Sequence, residues 1–139
     1  VCSFDLADKV TEACGGSVAG LKVAAWGVTF KAGTDDLRDS PAIKILRMLR
    51  EAGARITAYD PTARGKYVAH PWMEIAPSAV AAVEGADVLA VLTEWPEFAS
   101  VDPHEVRDVI GAPRVVDGRN VLDRERWRSA GFDYRGVGR

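Results

Sequence analysis

The chain has 139 residues, of which 47% are hydrophobic and 27% are charged, and its formal net charge is −2. This balance predicts one globular domain with an ordinary core. With 18 basic and 20 acidic side chains, the chain has no overall field to hold nucleic acid or a membrane, so any anion must be bound by a local cluster. No apolar run approaches the roughly 18 residues of a membrane span, and no signal peptide is predicted.

The two cysteines, Cys2 and Cys14, do not form a set with metal-ligand spacing. We interpret both as ordinary thiols in a reducing compartment, which predicts a cytoplasmic location and no metal site. The chain begins at Val1 rather than at Met, so we expect it to be a piece of a longer protein.

The first third of the chain predicts a helix, a strand and a second helix. Residues 4–14 carry apolar side chains at nearly helical spacing, and residues 21–27 (LKVAAWG) form a short apolar run that ends in Gly, as a buried strand does. Residues 40–54 have the strongest helical signal, because Ser40 can cap the first turn and Pro41 fits the first helical position.

The middle of the chain continues the alternation of strands and helices. We predict strands at residues 55–60 and 87–93, a short third strand at residues 66–70, and a helix at residues 78–86. Residues 87–93 (DVLAVLT) have the clearest strand signal, because their continuous apolar run is typical of a strand that is buried on both faces.

The last third predicts a helix at residues 102–111, a strand at 114–117, a helix at 123–131 and an edge strand at 132–138. Strands that are apolar on both faces and alternate with helices need helices on both sides of a parallel sheet. The predicted fold class is therefore α/β: a doubly wound, mainly parallel sheet of five to six strands, Rossmann-like but without a G-x-G-x-x-G motif.

Three charged segments follow predicted strands, at residues 28–39, 93–98 and 117–120. In a doubly wound sheet, ligands bind beyond the carboxyl ends of the strands, so these segments are expected to share one edge. The first loop is about twice the usual strand-to-helix length. The following helix is expected to begin with free amides that suit a phosphate. The alternative is a solvated loop whose acids pair with its bases, and the residue pattern alone leaves both open.

Residues 27–61 (GVTFKAGTDDLRDSPAIKILRMLREAGARITAYDP) resemble the C-terminal domain of the UDP-glucose/GDP-mannose dehydrogenase family. That family has a Gly-hydrophobic-small-Phe-Lys segment, then Thr-Asp-Asp-x-Arg-acid-Ser-Pro, a helix and a strand ending in Tyr-Asp-Pro. Residues 87–98 (DVLAVLTEWPEF) and 115–123 (VVDGRNVLD) resemble its next two blocks, in order. The resemblance covers about residues 20–136, and a mild departure is Trp26, where the family usually has an aliphatic residue.

The resemblance implies a part in an NAD-dependent nucleotide-sugar 6-dehydrogenase of polysaccharide biosynthesis, of the type that converts UDP-glucose to UDP-glucuronate. Such enzymes oxidise the C6 alcohol with two NAD and a cysteine thioester. The residues for that chemistry lie in upstream domains, so no catalytic residue is assigned here and this fragment alone should be inactive. Residues 1–19 are predicted to be a helical connection from such a domain, and 20–139 the nucleotide-sugar-binding domain. The full-length protein is expected to be a homo-oligomer.

The resemblance also implies which residues contact the substrate. Phe30 and Lys31 resemble the family's Phe-Lys pair, and Arg119 resembles the Arg of its Asp-Gly-Arg block, which implies that all three contact the nucleotide sugar. Each has an alternative role. Phe30 could pack in the core, Lys31 could be a surface lysine, and Arg119 could form an ion pair with Asp117 or Asp36.

Arg38 resembles an Arg that reaches across the cleft to NAD, which is held mainly by the missing N-terminal domain. Its alternative role is pairing with Asp35 or Asp39, and we interpret Asp35 and Asp36 mainly as structural partners of the cations. Three residues are predicted to shape the pocket edge or a domain contact: Glu94, Trp95 and Phe98. Two others are predicted to pack in the core: Trp72 and Trp127.

Two functions of other classes remain as alternatives. A phosphoacceptor receiver-like signalling domain is also small and doubly wound, and Asp35, Asp36 and Thr93 could imitate part of its site. However, the two acids lie too far beyond the first strand to converge on Mg²⁺, and Arg119 stands where a receiver needs Lys. A purely structural dimerisation domain predicts no nucleotide binding at all.

Overall fold

The computed structural model describes residues 3–28, 40–62 and 72–137. Within these residues six strands form one parallel sheet in the order β3-β2-β1-β4-β5-β6. The strands are β1 (Lys22–Trp26), β2 (Arg55–Tyr59), β3 (Met73–Ile75), β4 (Val88–Val91), β5 (Arg114–Asp117) and β6 (Asp133–Gly136). The helices are α1 (Ser3–Ala13), α2 (Pro41–Glu51), α3 (Ala79–Ala82), α4 (Pro96–Ala99), α5 (Pro103–Val109) and α6 (Arg124–Ser129).

The two faces of the sheet carry separate cores because side chains alternate along each strand. On β1, Val23 and Ala25 belong to the core under α1 and α2, whereas Ala24 and Trp26 belong to the core under α3, α5 and α6. Helices therefore cover both faces, which confirms the predicted doubly wound α/β fold. In the described residues no helix has the length and apolar character needed to cross a bilayer.

The order of the strands reverses between β1 and β4, which are neighbours in register, with Trp26 opposite Val91. The chain leaves β1 toward α2 on one face and leaves β4 toward α4 and α5 on the other. This arrangement opens a crevice at the carboxyl ends of the two strands, the usual ligand position in such sheets.

Trp26 lies at the centre of an aromatic cluster on the second face. Its ring stacks on Phe98 at a centroid distance of 5.4 Å and meets Trp127 edge-on at 6.0 Å. Its Nε1 donates a hydrogen bond of 2.9 Å to the carbonyl of Ala79, which satisfies the buried indole. The core position predicted for Trp127 is confirmed. The position predicted for Phe98 is wrong, because its side chain is fully buried beneath Trp26 instead of lying at a pocket edge.

Several predicted elements differ from the described ones. The strand predicted at residues 66–70 lies outside the described residues, and the described third strand, β3, follows it. The helix predicted at 78–86 is a single turn, α3, closed by Val83 at its C-cap. No helix was predicted in the charged segment after β4, but this segment leads into α4, which has Pro96 in its first turn.

We expect Phe98→Ala to lower the free energy of unfolding of the chain by about 3–5 kcal/mol, because it removes a fully buried ring and leaves a cavity under Trp26. Urea unfolding followed by circular dichroism measures this loss. Val101→Ala, at the half-buried margin of the same cluster, is the control and should cost about 1 kcal/mol or less. Unchanged stability in Phe98→Ala would contradict the core position of this ring and favour its predicted role in a domain contact.

Candidate functional site at the carboxyl edge of the sheet

A cavity of about 280 Å³ lies at the carboxyl edge, on the face covered by α1 and α2. Its walls come from the start of α2, the segment after β4 and the turn after β5, with Leu6 of α1 and Val137 closing the sides. Polar groups enter it from Glu94, Arg119 and Asn120. The cavity therefore joins two of the three charged segments that the sequence places at this edge.

Arg119 presents a half-exposed guanidinium to the cavity. Its Nη2 lies 2.9 Å from Oε2 of Glu94, and both side chains are about half exposed, at 47% and 48%. The proposed ion pair with Asp117 is wrong, because the Asp117 carboxylate instead accepts a 3.2 Å hydrogen bond from the backbone amide of Arg119. The other suggested partner, Asp36, lies outside the described residues.

Asp117 is fully buried at the end of β5 and holds the turn that carries Arg119. Its Oδ1 accepts from the amides of Arg119 (3.2 Å) and Val121 (3.1 Å). Its Oδ2 accepts from the amide of Leu122 and from the hydroxyl of Tyr134, both at 2.8 Å. Four donors compensate the buried charge, so the backbone of the turn is fixed.

The remaining residues of this turn have structural roles of their own. A Cβ on Gly118 would lie 2.6 Å from Cδ2 of Leu6, at the movable end of that side chain, and 3.0 Å from the backbone carbonyl oxygen of Val91, so a side chain here would require both neighbours to shift. Asn120 adopts a positive φ of 54°, and its side-chain amide donates to the carbonyl of Val137 at 2.8 Å and accepts from its backbone N–H at 3.0 Å. The sequence pattern did not predict these two hydrogen bonds, although Asn is a residue type that tolerates a positive φ.

The loop predicted to carry three ligand-binding residues begins and ends at this same edge. The buried Asp60 carboxylate accepts a 2.9 Å hydrogen bond from the amide of Val28. Val28 lies two residues after β1 and is the last described residue before the loop. The hydroxyl of Ser40 donates to the carbonyl of Val28 at 2.8 Å. The two described ends of the loop are therefore fixed to each other. The predicted ligand contacts of Phe30, Lys31 and Arg38, and the predicted pairing of the acids between them, concern residues outside the described part of the chain.

The prediction that α2 begins with free amides is wrong. Ser40 is its N-cap, and its Oγ accepts from the amides of Ala42 at 3.2 Å and Ile43 at 3.4 Å. Pro41 has no amide hydrogen, and the amide of Lys44 bonds the carbonyl of Ser40. A ligand in the cavity thus meets the positive end of the helix dipole without unpaired amides from its first turn.

Thr93, shortly after the end of β4, packs its side chain against Gly27, which directly follows β1. Its side chain is buried, and a Cβ on Gly27 would lie 1.9 Å from its Oγ1, so Gly27, at a φ of 96°, has no room for a side chain. Thr93 therefore lies beneath the strand end and does not present its hydroxyl as a receiver's threonine must. Trp95, two residues on, is half-buried against the second core, and its role in a domain contact stays a prediction.

Comparison with known proteins decides the family. Residues 24–124 match the UDP-glucose/GDP-mannose dehydrogenase family, UDP binding domain. The chain belongs to this family. The match covers both cavity-lining segments described above as well as the long loop, and it confirms the resemblance carried by the sequence motifs. Neither the receiver-like nor the purely structural alternative is supported.

Relatives of this UDP binding domain are whole dehydrogenases. UDP-glucose 6-dehydrogenase of Rhizobium meliloti is 40% identical over 134 residues, which are 94% of this chain and 30% of that protein. The Pseudomonas aeruginosa UDP-glucose 6-dehydrogenase is 39% identical, over 96% of this chain and 31% of that protein. The chain thus spans about a third of the length of these relatives.

Solved structures show the same fold for the UDP binding domain. An NDP-N-acetyl-D-galactosaminuronic acid dehydrogenase from Methanosarcina mazei superposes with a TM-score of 0.82 at 29% identity, covering 99% of this chain and 28% of that one. A UDP-glucose dehydrogenase from Pyrobaculum islandicum superposes with a TM-score of 0.76 at 29% identity, covering 96% of this chain and 29% of that one.

We expect Asp117→Asn to lower the free energy of unfolding by about 2–3 kcal/mol. The substitution replaces one carboxylate oxygen with an NH2 group, which donates hydrogen bonds and cannot accept them. At least one backbone N–H near Arg119 therefore loses its acceptor. Urea unfolding measures the change. Asp133→Asn, which removes an exposed partner of Arg135, is the control and should change stability by only about 0.5 kcal/mol. Equal midpoints for the two variants would contradict the role given to Asp117.

Proposed function

We propose that this chain is the nucleotide-sugar-binding domain of an NAD-dependent UDP-glucose 6-dehydrogenase. The observation that carries this proposal is the cavity at the carboxyl edge, which receives Arg119 from a fixed turn within the matched UDP binding domain. The names of the two relatives described above support UDP-glucose as the sugar nucleotide.

Arg119 would bind the diphosphate of the ligand. Its guanidinium offers a planar set of donors that matches phosphate oxygens, and the positive end of α2 lies at the same cavity. Lys31 would add a second cation to the same ligand, and Phe30 would contact it from the loop whose ends are fixed at Val28 and Ser40. These two assignments rest on the family resemblance.

NAD would be held mainly by another domain of the full-length protein, with Arg38 reaching it across the cleft. Residues 1–19 would connect the domains. In support, Leu6 of α1 lies at the cavity, and Val10 and Ala13 pack in the first core, so α1 would enter this domain beside the proposed ligand site. The chemistry at C6 would be done by residues outside this chain. We further propose a homo-oligomeric, cytoplasmic parent enzyme.

We expect this chain to bind UDP with a dissociation constant on the order of millimolar, because it supplies one wall of a two-domain site. Titration of ¹⁵N-labelled chain with UDP should shift the amides of Gly118, Arg119 and Asn120 in a saturable way. Arg119→Ala or Lys31→Ala should weaken binding about tenfold or more, since each removes a charge-assisted contact.

The matched control is Arg135→Ala, which removes an arginine of similar exposure that pairs with Asp133 and does not line the cavity. It should leave the UDP titration unchanged. If UDP shifts no amide saturably, or if Arg119→Ala binds as tightly as the unaltered chain, the proposed ligand site is wrong.

A second expectation concerns turnover. The isolated chain should produce no NADH from NAD and UDP-glucose, as followed by absorbance of the nicotinamide. The reason is that the residues proposed to carry out the chemistry at C6 lie outside this chain. The full-length enzyme assayed in parallel is the positive control. Turnover by the purified chain would show that catalytic residues lie within these 139 residues.

A further inference from the structure

The wall of the cavity carries a negatively charged side chain beside Arg119. The carboxylate of Glu94 lies 2.9 Å from the guanidinium of Arg119, and both side chains line the same cavity. Among its described lining residues, these two are the charged ones, so this part of the wall carries one positive and one negative charge. A ligand phosphate that approaches Arg119 must therefore also approach Glu94.

The backbones that carry the two charges are held in place. Arg119 belongs to the turn fixed by the buried Asp117 carboxylate. Glu94 directly follows Thr93, whose side chain is buried against Gly27. Since β4 and β5 are adjacent strands, the pair results from the sheet itself and not from a chance meeting of two long surface side chains. The side chains can still rotate, because about half of each is exposed.

We propose that Glu94 is a built-in counter-ion that makes the cavity select ligands by charge, favouring a diphosphate esterified at both ends over a free nucleoside diphosphate; this rests on the proposed function. A nucleotide sugar carries two negative charges on its diphosphate. UDP carries about three near neutral pH, because the second ionisation of a terminal phosphate has a pKa near 6. The repulsion from Glu94 grows with ligand charge, so UDP is penalised more than UDP-glucose.

The arrangement has a competing interpretation, in which Glu94 only orients Arg119 for binding. The two interpretations predict opposite signs. Removing an orienting group weakens the binding of both ligands, whereas removing a counter-ion frees the guanidinium and strengthens binding, most strongly for the more highly charged ligand. Glu94→Gln keeps the size and hydrogen-bonding capacity of the side chain and removes its charge, so it separates these effects.

The experiment measures dissociation constants of UDP and UDP-glucose by NMR titration of this chain, unaltered and as Glu94→Gln. We expect UDP to bind about three- to fivefold more tightly in Glu94→Gln, and UDP-glucose only about twofold, given the modest energies of half-exposed pairs. Asp133→Asn is the matched control: it removes the same charge from the other described exposed pair, and both constants should stay unchanged.

A double variant tests whether the effect passes through Arg119. In an Arg119→Ala background, Glu94→Gln should gain less than it does alone, because the direct repulsion between Glu94 and the ligand remains but no ion pair with Arg119 has to be broken. An undiminished gain there overturns the counter-ion role, as does equal tightening of both ligands or weaker binding of either. Binding of both ligands without any Glu94 effect defeats this inference alone, whereas absence of binding by the unaltered chain defeats the proposed function as well.

Discussion

The carboxylate of Asp117 is the interaction on which the candidate site depends. A buried carboxylate is costly unless donors surround it, and this one receives three backbone amides and a tyrosine hydroxyl. It thereby joins the end of β5, the turn that carries Arg119, and Tyr134 of β6. Asp60 does the same for the other half of the sheet, where it bonds the amide of Val28 and both the amide and the hydroxyl of Thr62.

These acids show how a sheet edge can be both polar and rigid. The backbone groups at the ends of parallel strands have no partners farther along the sheet, and turns that leave the edge need acceptors of their own. A buried carboxylate can accept several of these hydrogen bonds at once. Arg119 is thus anchored through its main chain, and the proposed charge selection is left to the side chains of Arg119 and Glu94, which remain partly in solvent.

The sequence was sufficient for the fold class because the apolar runs of β1, β4 and β5 are continuous and the helices between them are capped by recognisable residues. It was not sufficient for β3, because three residues, one of them Glu74, are too few to show the alternation of apolar and polar side chains that marks a strand. It also failed for α4, because a four-residue helix inside a charged segment has no amphipathic pattern. Both buried carboxylates, Asp60 and Asp117, belong to the segments that resemble the family, but a motif alone does not reveal which groups a side chain contacts.

Arg119 could be named from its motif, whereas its partner could not, since Glu94 lies 25 residues away and the pairing depends on β4 and β5 being neighbours. Phe98 was misplaced for the related reason that an aromatic residue beside Glu and Pro resembles a surface residue until the position of Trp26 is known. Local patterns predicted which residues are polar or apolar. Contacts between elements required the sheet order.

The hydrogen bond between Ser40 and Val28 has a consequence for how this domain can diversify. It closes the base of the long loop on residues that belong to the sheet edge and to the helix cap, so the ordering of β1 and α2 does not rely on the sequence in between. Because the cost of closing a loop grows slowly with its length, substitutions and even insertions in that interval can accumulate with little penalty to the scaffold. Under the proposed function, the ligand contacts of this interval can therefore change while the fold stays the same, and the interval is a suitable place to exchange sequence between members of the family.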